Sequence, residues 1–249
     1  DPDAAAFLTA TGITDPTIES AINTLVTDLK GYSLWSKFNA IYPMVGGTST
    51  TTKYNLVDPQ DTDAAFRLNF VNAWTFASTG VKGNITTTYA DTFLAPNSHL
   101  SLNNVHLSYY SRTNSNGAKY VEMGVDNGSN SLYIAPRWEG ATSNYRAVNA
   151  PQTSPGSSPT SEGFFHVNRI ISTTSKQYKN GAIINTDAAF GSGGLSSSTL
   201  YIGAYSNGSL FPTDRECAFA SIGEGMTDGE AANFYTAVQA FQTTLSRQV

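Results

Sequence analysis

Cysteine is almost missing from this chain. Cys217 stands alone, which excludes an internal disulfide framework and any zinc site of the four-cysteine type. Its setting, CAFASI, reads as a buried structural thiol rather than a reactive one. Charge is scarce too, at 13% of residues, with 19 acidic side chains against 14 basic ones. A net charge of −5 and the lack of any basic run argue against nucleic acid, which is bound through a Lys/Arg footprint, and against an anionic membrane surface. No stretch approaches the roughly 20 apolar residues of a membrane span, so membrane insertion is not expected. The opening DPDAAAFLTATG has no basic n-region and is not read as a signal peptide; Asp1 in place of Met points to a processed chain or to part of a longer one. Histidine is limited to His99, His106 and His166, at no spacing that suggests a metal site, and a structural role is expected for all three. No phosphate-loop or nucleophile-elbow pattern is present.

Uncharged polar residues and aromatics are plentiful instead, with 13 Tyr and 13 Phe among 249 residues. Thr, Ser, Asn and Gly between apolar runs suit strands and turns. The clearest local signal is FFHVNRIISTTSKQYKNGAIINTDAA, Phe164–Ala189. Two strand-like runs flank Asn180-Gly181, the pair best suited to a type I′ turn with both central residues at positive φ. Further strands are expected at Ala40–Val45, Ala64–Phe70, Thr75–Ser78, Ala90–Phe93, His106–Thr113, Tyr120–Asp126, Leu132–Trp138, Arg146–Ala150, Gly163–Ser172, Lys176–Lys179, Ala182–Asn185, Thr199–Tyr205 and Cys217–Gly223. In HLSYYSR, aromatic rings fall on both alternating faces, so one-sided burial is less clear there than usual. This spacing is that of an all-β sandwich.

Helices are expected at both ends. Asp3–Ala10 is short. Pro16–Lys30 opens on an Asp15-Pro16 start, carries Ile18, Ala21, Ile22, Leu25, Val26 and Leu29 at helical spacing, and stops near Gly31. Its apolar stripe must cover the sandwich or a neighbouring subunit, the first being the simpler reading. A closing helix starts with Thr227 and Glu230 in a capping-box pattern, followed by Ala231, Phe234, Val238 and Phe241. The Pro- and Ser-rich stretch 152–161 reads as a surface loop within one domain rather than a linker. The expected division is a helical segment, 1–37, and a sandwich with its closing helix, 38–249.

The strand FFHVNRI, the hairpin QYKNGAII, the strand LYIGAY and FASIGEGM with its following helix resemble the laminin-G-like, concanavalin A-type jelly-roll family. Tyr178-Lys179-Asn180-Gly181, Ile202-Gly203-Ala204 and Thr227–Glu230 carry that likeness. It implies an all-β, concanavalin A-like (laminin-G-like) β-sandwich jelly roll between the two helical ends. Over nearly the whole chain, TDPTIESAINTLVTDLKGYSLWSKFNAIYPMVGGT, HLSYYSRTN and the closing stretch resemble bacteriophage structural proteins of tail, fibre or capsid-associated type. That resemblance implies a virion component exposed on the particle surface. The expected role is non-enzymatic: assembly with copies of itself or with other virion proteins, and recognition of a cell-surface glycan on the host. The competing expectations are an inert decoration protein and a glycan-degrading enzyme on the same scaffold.

Sugars present apolar C–H faces that stack on aromatic rings, with amides and guanidinium groups fixing hydroxyls. Trp138, Tyr145 and Arg146, with Arg137, Asn144 and Tyr133 nearby, gather in PRWEGATSNYR, read as a loop between strands, and form the candidate ligand site. Trp74 and Tyr89 are a second aromatic set, and core packing is the competing reading for each tryptophan; Trp35 is expected in the core. Retaining glycosidases need two carboxyls about 5–5.5 Å apart. The nearest echo is Glu122 and Asp126 in VEMGVDNG, without a third acid. No cofactor is expected; were one bound, calcium, held through hard oxygen ligands, is the one that suits such a fold. Its candidates are Asp126 and Asn127, and the cluster Asp58, Asp61 and Asp63, which turn chemistry explains equally well.

Overall fold

The computed structural model describes residues 1–115, 120–140 apart from 140 itself, 142–146, 156–187, 193–206 and 211–249, with backbone alone for 139, 142–146 and 156–157. Two antiparallel sheets stack face to face, and a layer of helices covers the outer face of one of them.

The helical ends form as the sequence dictates. Helix α1 runs Pro2–Thr11 and α2 runs Pro16–Gly31, where the Asp15 carboxylate accepts from the backbone N–H of Thr17 and Ile18 at 2.8 and 3.1 Å. Two short helices, α3 (Ser49–Thr52) and α4 (Pro96–His99), lie in connections. Helix α5, Asp228–Thr244, opens with both bonds of the capping box: Thr227 N–H to Glu230 Oε2 at 2.7 Å, and Glu230 N–H to Thr227 Oγ1 at 3.3 Å. Past its end, the buried Arg247 guanidinium donates to the carbonyls of Pro43, Met44 and Ala218, tying the last residues to the body.

The first sheet contains β1 (Phe38–Tyr42), β3 (Thr75–Ala77), β4 (Gly80–Lys82), β6 (Val105–Ser111), β11 (Gly163–Ile171), β12 (Thr174–Lys179), β13 (Ala182–Asp187) and β15 (Cys217–Gly223). Its order is β13-β12-β11-β6-β15-β4-β3, with β1 also paired to β15. The second sheet contains β2 (Asn69–Val71), β5 (Tyr89–Asp91), β7 (Met123–Asp126), β8 (Ser131–Glu139), β9 (Thr142–Arg146), β10 (Gly156–Ser157) and β14 (Tyr201–Ile202), in the order β10-β9-β8-β7-β14-β5-β2.

The Asn180-Gly181 signal is realised. Both residues have positive φ, 49° and 75°, and Lys179 pairs with Ala182 across the turn, as a type I′ hairpin requires. The mixed burial of HLSYYSR also has a cause: every residue of β6 is buried. Leu107 and Tyr109 enter the core between the sheets, while Tyr110 enters the core beneath the helices. Phe234 of α5 centres that second core, with its ring 5.1–6.1 Å from those of Phe38, Phe164, Phe219, His106 and His166. The stripe of α2 joins the same core, so it covers the sandwich of its own chain. Burying each such aliphatic or aromatic side chain is worth about 1.5–3 kcal/mol.

Several expected elements shift. The run expected as strand at Ala64–Phe70 begins in a 3₁₀ turn, Asp63–Ala65, which Phe66 ends at positive φ (59°), and only Asn69–Val71 is strand. Gly80–Lys82 pairs with β15 and β3 although it is too short to read as a strand. The expected strand Thr199–Tyr205 contracts to Tyr201–Ile202, because Gly203 (φ 83°) turns the chain where a Cβ would strike the Trp74 ring. Trp35 is half-buried at the rim of the helical core, with Lys30 Nζ 5.5 Å from its ring centre, rather than fully inside.

Candidate functional site

Alternation divides the second sheet into two unlike faces. Ala90, Met123, Val125, Leu132, Ile134 and Ile202 point into the sandwich core. The intervening positions, Tyr89, Asp91, Glu122, Gly124, Asp126, Tyr133, Ala135 and Tyr201, face away from it. On that outer face Val121, Tyr133, Ala135 and Tyr205 form a separate small cluster, with Trp138 and Phe211 packed against it. The rings run in series: Tyr133–Tyr205 at 5.3 Å, Tyr205–Phe211 at 6.2 Å and Phe211–Trp138 at 4.8 Å between centroids, the first and last edge-on. Tyr133 and Tyr205 are buried, whereas Trp138 and Phe211 keep part of their surface in solvent. A second edge-on pair, Tyr89–Tyr201 at 5.4 Å, lies toward the other end of the face. Burial, and then a hydrogen bond to Asp126, hold the Tyr205 phenol above its ordinary pKa.

Just before β7 sits a closed ion pair, with the Arg215 guanidinium 5.1 Å from the Tyr120 ring centre. Arg215 Nη1 donates to Glu122 Oε1 at 2.6 Å, and both side chains are fully buried. Thr213 Oγ1 donates to the same oxygen at 3.2 Å, while Glu122 Oε2 finds no partner among the described residues. Burial pushes the Glu122 carboxyl upward in pKa and Arg215 pulls it back.

The loop expected between strands ending at Trp138 and starting at Arg146 is shorter than that: β8 runs on through Glu139 and β9 spans Thr142–Arg146, while 147–150 of the expected strand Arg146–Ala150 lie outside the described residues. Trp138 therefore stands on a strand beside Phe211, and Arg137 Nη1 donates to Asn114 Oδ1 at 3.3 Å. In register, Asn144 pairs with Ala135, Tyr145 with Ile134 and Arg146 with Tyr133. The side chains of Asn144, Tyr145 and Arg146 lie outside the described residues. Trp74 and Tyr89 are neighbours through the Trp74 indole N–H, which donates to the carbonyls of Val71 and Tyr89. The Trp74 ring packs on Phe70, while that of Tyr89 turns to Tyr201.

Glu122 and Asp126 share the outer face, but Glu122 is sealed and Asp126 is half-buried at the strand end. The candidate calcium ligands are engaged in turns: Asp126 Oδ1 accepts from Gly128 N–H at 2.9 Å, and Asn127 Oδ1 from Ser129 and Asn130 N–H at 3.1 and 2.9 Å. In the other cluster, Asp61 faces Lys53 and Arg67, Asp63 faces Arg67 at 2.7 Å, and Asp58 accepts from Gln60. Among the described residues, no three His, Cys, Asp or Glu side chains are grouped to hold a metal.

A second buried polar cluster lies under α5 on the first sheet. His106 Nδ1 bonds the Glu224 carbonyl at 2.6 Å, His106 Nε2 bonds Ser221 Oγ at 2.9 Å, and Ser221 Oγ bonds Ser108 Oγ at 2.7 Å. The His166 ring stands edge-on to His106 at 5.3 Å, and neither of its nitrogens has a partner among the described residues. Tyr205, Phe211 and Arg215 escaped the sequence reading. The aromatic pair flanks an uninformative Ser/Gly stretch, and Arg215 meets a carboxylate 93 positions away, so no local pattern announces it.

No family model matches this chain, and no curated protein matches its sequence. Solved structures match its fold. A mutant sialidase of Trypanosoma rangeli displaying trans-sialidase activity aligns with TM-score 0.55 and 12% identity, over 87% of this chain and 38% of that one. The T. rangeli sialidase in complex with sialic acid gives TM-score 0.52 and 11% identity, over 79% and 32%. Domain 4 of a GH43 extracellular arabinanase from Geobacillus stearothermophilus, in complex with arabinotriose, gives TM-score 0.52 and 14% identity, over 80% and 98%. The chain thus spans about a third of the sialidases and nearly the whole arabinanase domain. At these identities the likeness is one of fold: a two-sheet antiparallel β-sandwich.

Proposed function

We propose that this chain is a non-catalytic glycan-binding module whose ligand lies on the outer face of the second sheet, around Trp138 and Phe211. The observation that carries the reading is the series Tyr133–Tyr205–Phe211–Trp138, two buried rings supporting two partly exposed ones. Rings fixed against one another in this way offer a sugar an ordered apolar surface at little entropic cost. The arabinotriose bound to the similar arabinanase domain supports a saccharide as the ligand class. Enclosure of Glu122 by Arg215 and Thr213 supports binding without turnover, since that carboxylate is already committed. We assign the sandwich to the concanavalin A-like jelly-roll type. Its setting on a virion surface, with self-assembly and other virion proteins as partners, rests on the sequence resemblance to phage structural proteins, and mass spectrometry of purified particles tests it. Calcium is not required by this reading.

The test is a glycan array comparing the wild type with Trp138→Ala. Truncating a central aromatic anchor costs about 2 kcal/mol, or about thirtyfold in affinity. The expected result is that loss in a variant that keeps the native fold by circular dichroism. An empty array for the wild type overturns the proposal in favour of an inert decoration protein. Release of reducing sugar from a polysaccharide, abolished by Glu122→Gln, replaces it with an enzyme.

A further inference from the structure

The ladder between β8 and β9 breaks where Trp138 sits. Ala135 pairs with Asn144 and the next pair is Glu139 with Thr142, so four steps along β8 match two along β9. Extra residues of this kind re-aim side chains and leave backbone groups without ladder partners. Pro136, inside the irregular stretch, has no N–H to offer the ladder. The carbonyl of Arg137, also inside it, accepts from Arg215 Nη2 at 3.0 Å. The same guanidinium reaches Ser115 twice, Nη2 to its carbonyl at 3.1 Å and Nε to its Oγ at 3.0 Å, and holds Glu122 through Nη1 at 2.6 Å.

The segment that delivers Arg215 is fixed as well. The Phe211 carbonyl accepts from Val121 N–H at 2.9 Å, Thr213 N–H donates to the Gly203 carbonyl at 3.0 Å, and the Arg215 carbonyl accepts from the Tyr109 hydroxyl at 2.9 Å. One side chain thereby joins Glu122 just before β7, the irregular part of β8, Ser115 beyond β6, and the segment ahead of β15 that carries Phe211. We infer that Arg215 is a positioning residue for the aromatic site: its guanidinium holds the β8 irregularity so that the Trp138 ring meets Phe211 edge-on, and Glu122 is buried beside it to neutralise its charge. The functional consequence rests on the glycan-binding reading of that face. A lysine would keep a charge opposite Glu122, but its single ammonium cannot reproduce the planar fork that meets Ser115 and Arg137 together.

The experiment is ¹⁹F NMR of the 5-fluorotryptophan-labelled protein, whose three tryptophans give three resonances, with Trp138 assigned through Trp138→Phe. In Arg215→Lys the Trp138 resonance is expected to shift or split while those of Trp35 and Trp74 stay in place. Affinity for arabinotriose is expected to fall about tenfold. A Trp138 resonance that stays put, or three resonances that move together as in general loosening, overturns the inference. Should Arg215→Lys fail to fold, Glu122→Gln applies the same test from the other partner. Selective movement of Trp138 then supports the inference, and its absence overturns it. If the wild type binds neither arabinotriose nor sialyllactose, the glycan reading fails on its own, and the resonance comparison still decides the positioning role.

Discussion

Acid should loosen the contact between α5 and the first sheet, and the size of the effect follows from His106. A carbonyl can only accept, so the bond to Glu224 places the proton on Nδ1, and Nε2 accepts from the Ser221 hydroxyl, which in turn accepts from Ser108. Burial, opposed in part by the Glu224 bond and reinforced by the nearby Lys37 charge, lowers the His106 pKa from 6.5 to about 4. His166, buried and facing His106, is lowered as well. A base with a depressed folded-state pKa binds fewer protons in the folded than in the unfolded state between those two values. Its stabilising contribution is therefore complete above pH 6.5 and is lost as pH falls toward 4. At about 1.4 kcal/mol per pKa unit, His106 alone removes about 3 kcal/mol by pH 4, a large share of a typical domain's stability. Urea unfolding at a series of pH values from 7.5 to 4.5 measures it. The slope between pH 6 and 4.5 should average about 1.2 kcal/mol per unit from His106, with a further contribution of the same sign from His166. His106→Gln should flatten the curve by its share. A flat wild-type curve, or a slope unchanged in His106→Gln, refutes the reasoning.

Two further perturbations probe the frame that carries the site. Thr227→Ala removes one half of a reciprocal cap on α5 and should cost about 1 kcal/mol in urea unfolding, with the spectroscopic signature of the native fold retained. Gly181→Ala places a side chain at φ 75°, where its Cβ would lie 2.9 Å from the Tyr235 ring, and should cost about 1–2 kcal/mol or more by the same assay.

The sequence revealed those features whose causes are local. The type I′ turn, the Asp15 cap, the capping box and the stripe of α2 each depend on residues within a few positions of one another, and each forms as expected. Trp138 was legible as a candidate because a tryptophan beside polar residues stands out in a chain with few of them. Its setting was not legible. The turn-like letters Glu139-Gly140 made most of β9 read as loop, and Phe211 and Tyr205 reach Trp138 only through the stacking order of the sheet. Glu122 illustrates the limit most plainly: strand periodicity placed it correctly on the face of Asp126, yet only the fold brings Arg215 against it and changes an apparent catalytic acid into half of a buried pair.

The location of the proposed site also follows from how the two sheets are covered. In the first sheet, β6 and β15 are buried along their whole length, since one face meets the other sheet and the other face meets α2 and α5. That sheet has no central face left for a ligand, and its outer core is assigned to holding the helices. The second sheet has no helix across its outer face among the described residues, and it carries there the only core cluster whose partly buried members, Trp138 and Phe211, are both aromatic. Trp138 and Phe211, in edge-on contact at 4.8 Å, give this face an ordered, partly exposed apolar surface. On the proposed reading a saccharide suits this face, because its C–H surface would cover the rings while its hydroxyls stay solvated. Trp138 and Phe211 should therefore lose solvent accessibility together, and the helical layer should not change, when ligand is added. Hydrogen exchange that instead slows across α5 on saccharide addition would place the ligand on the wrong sheet.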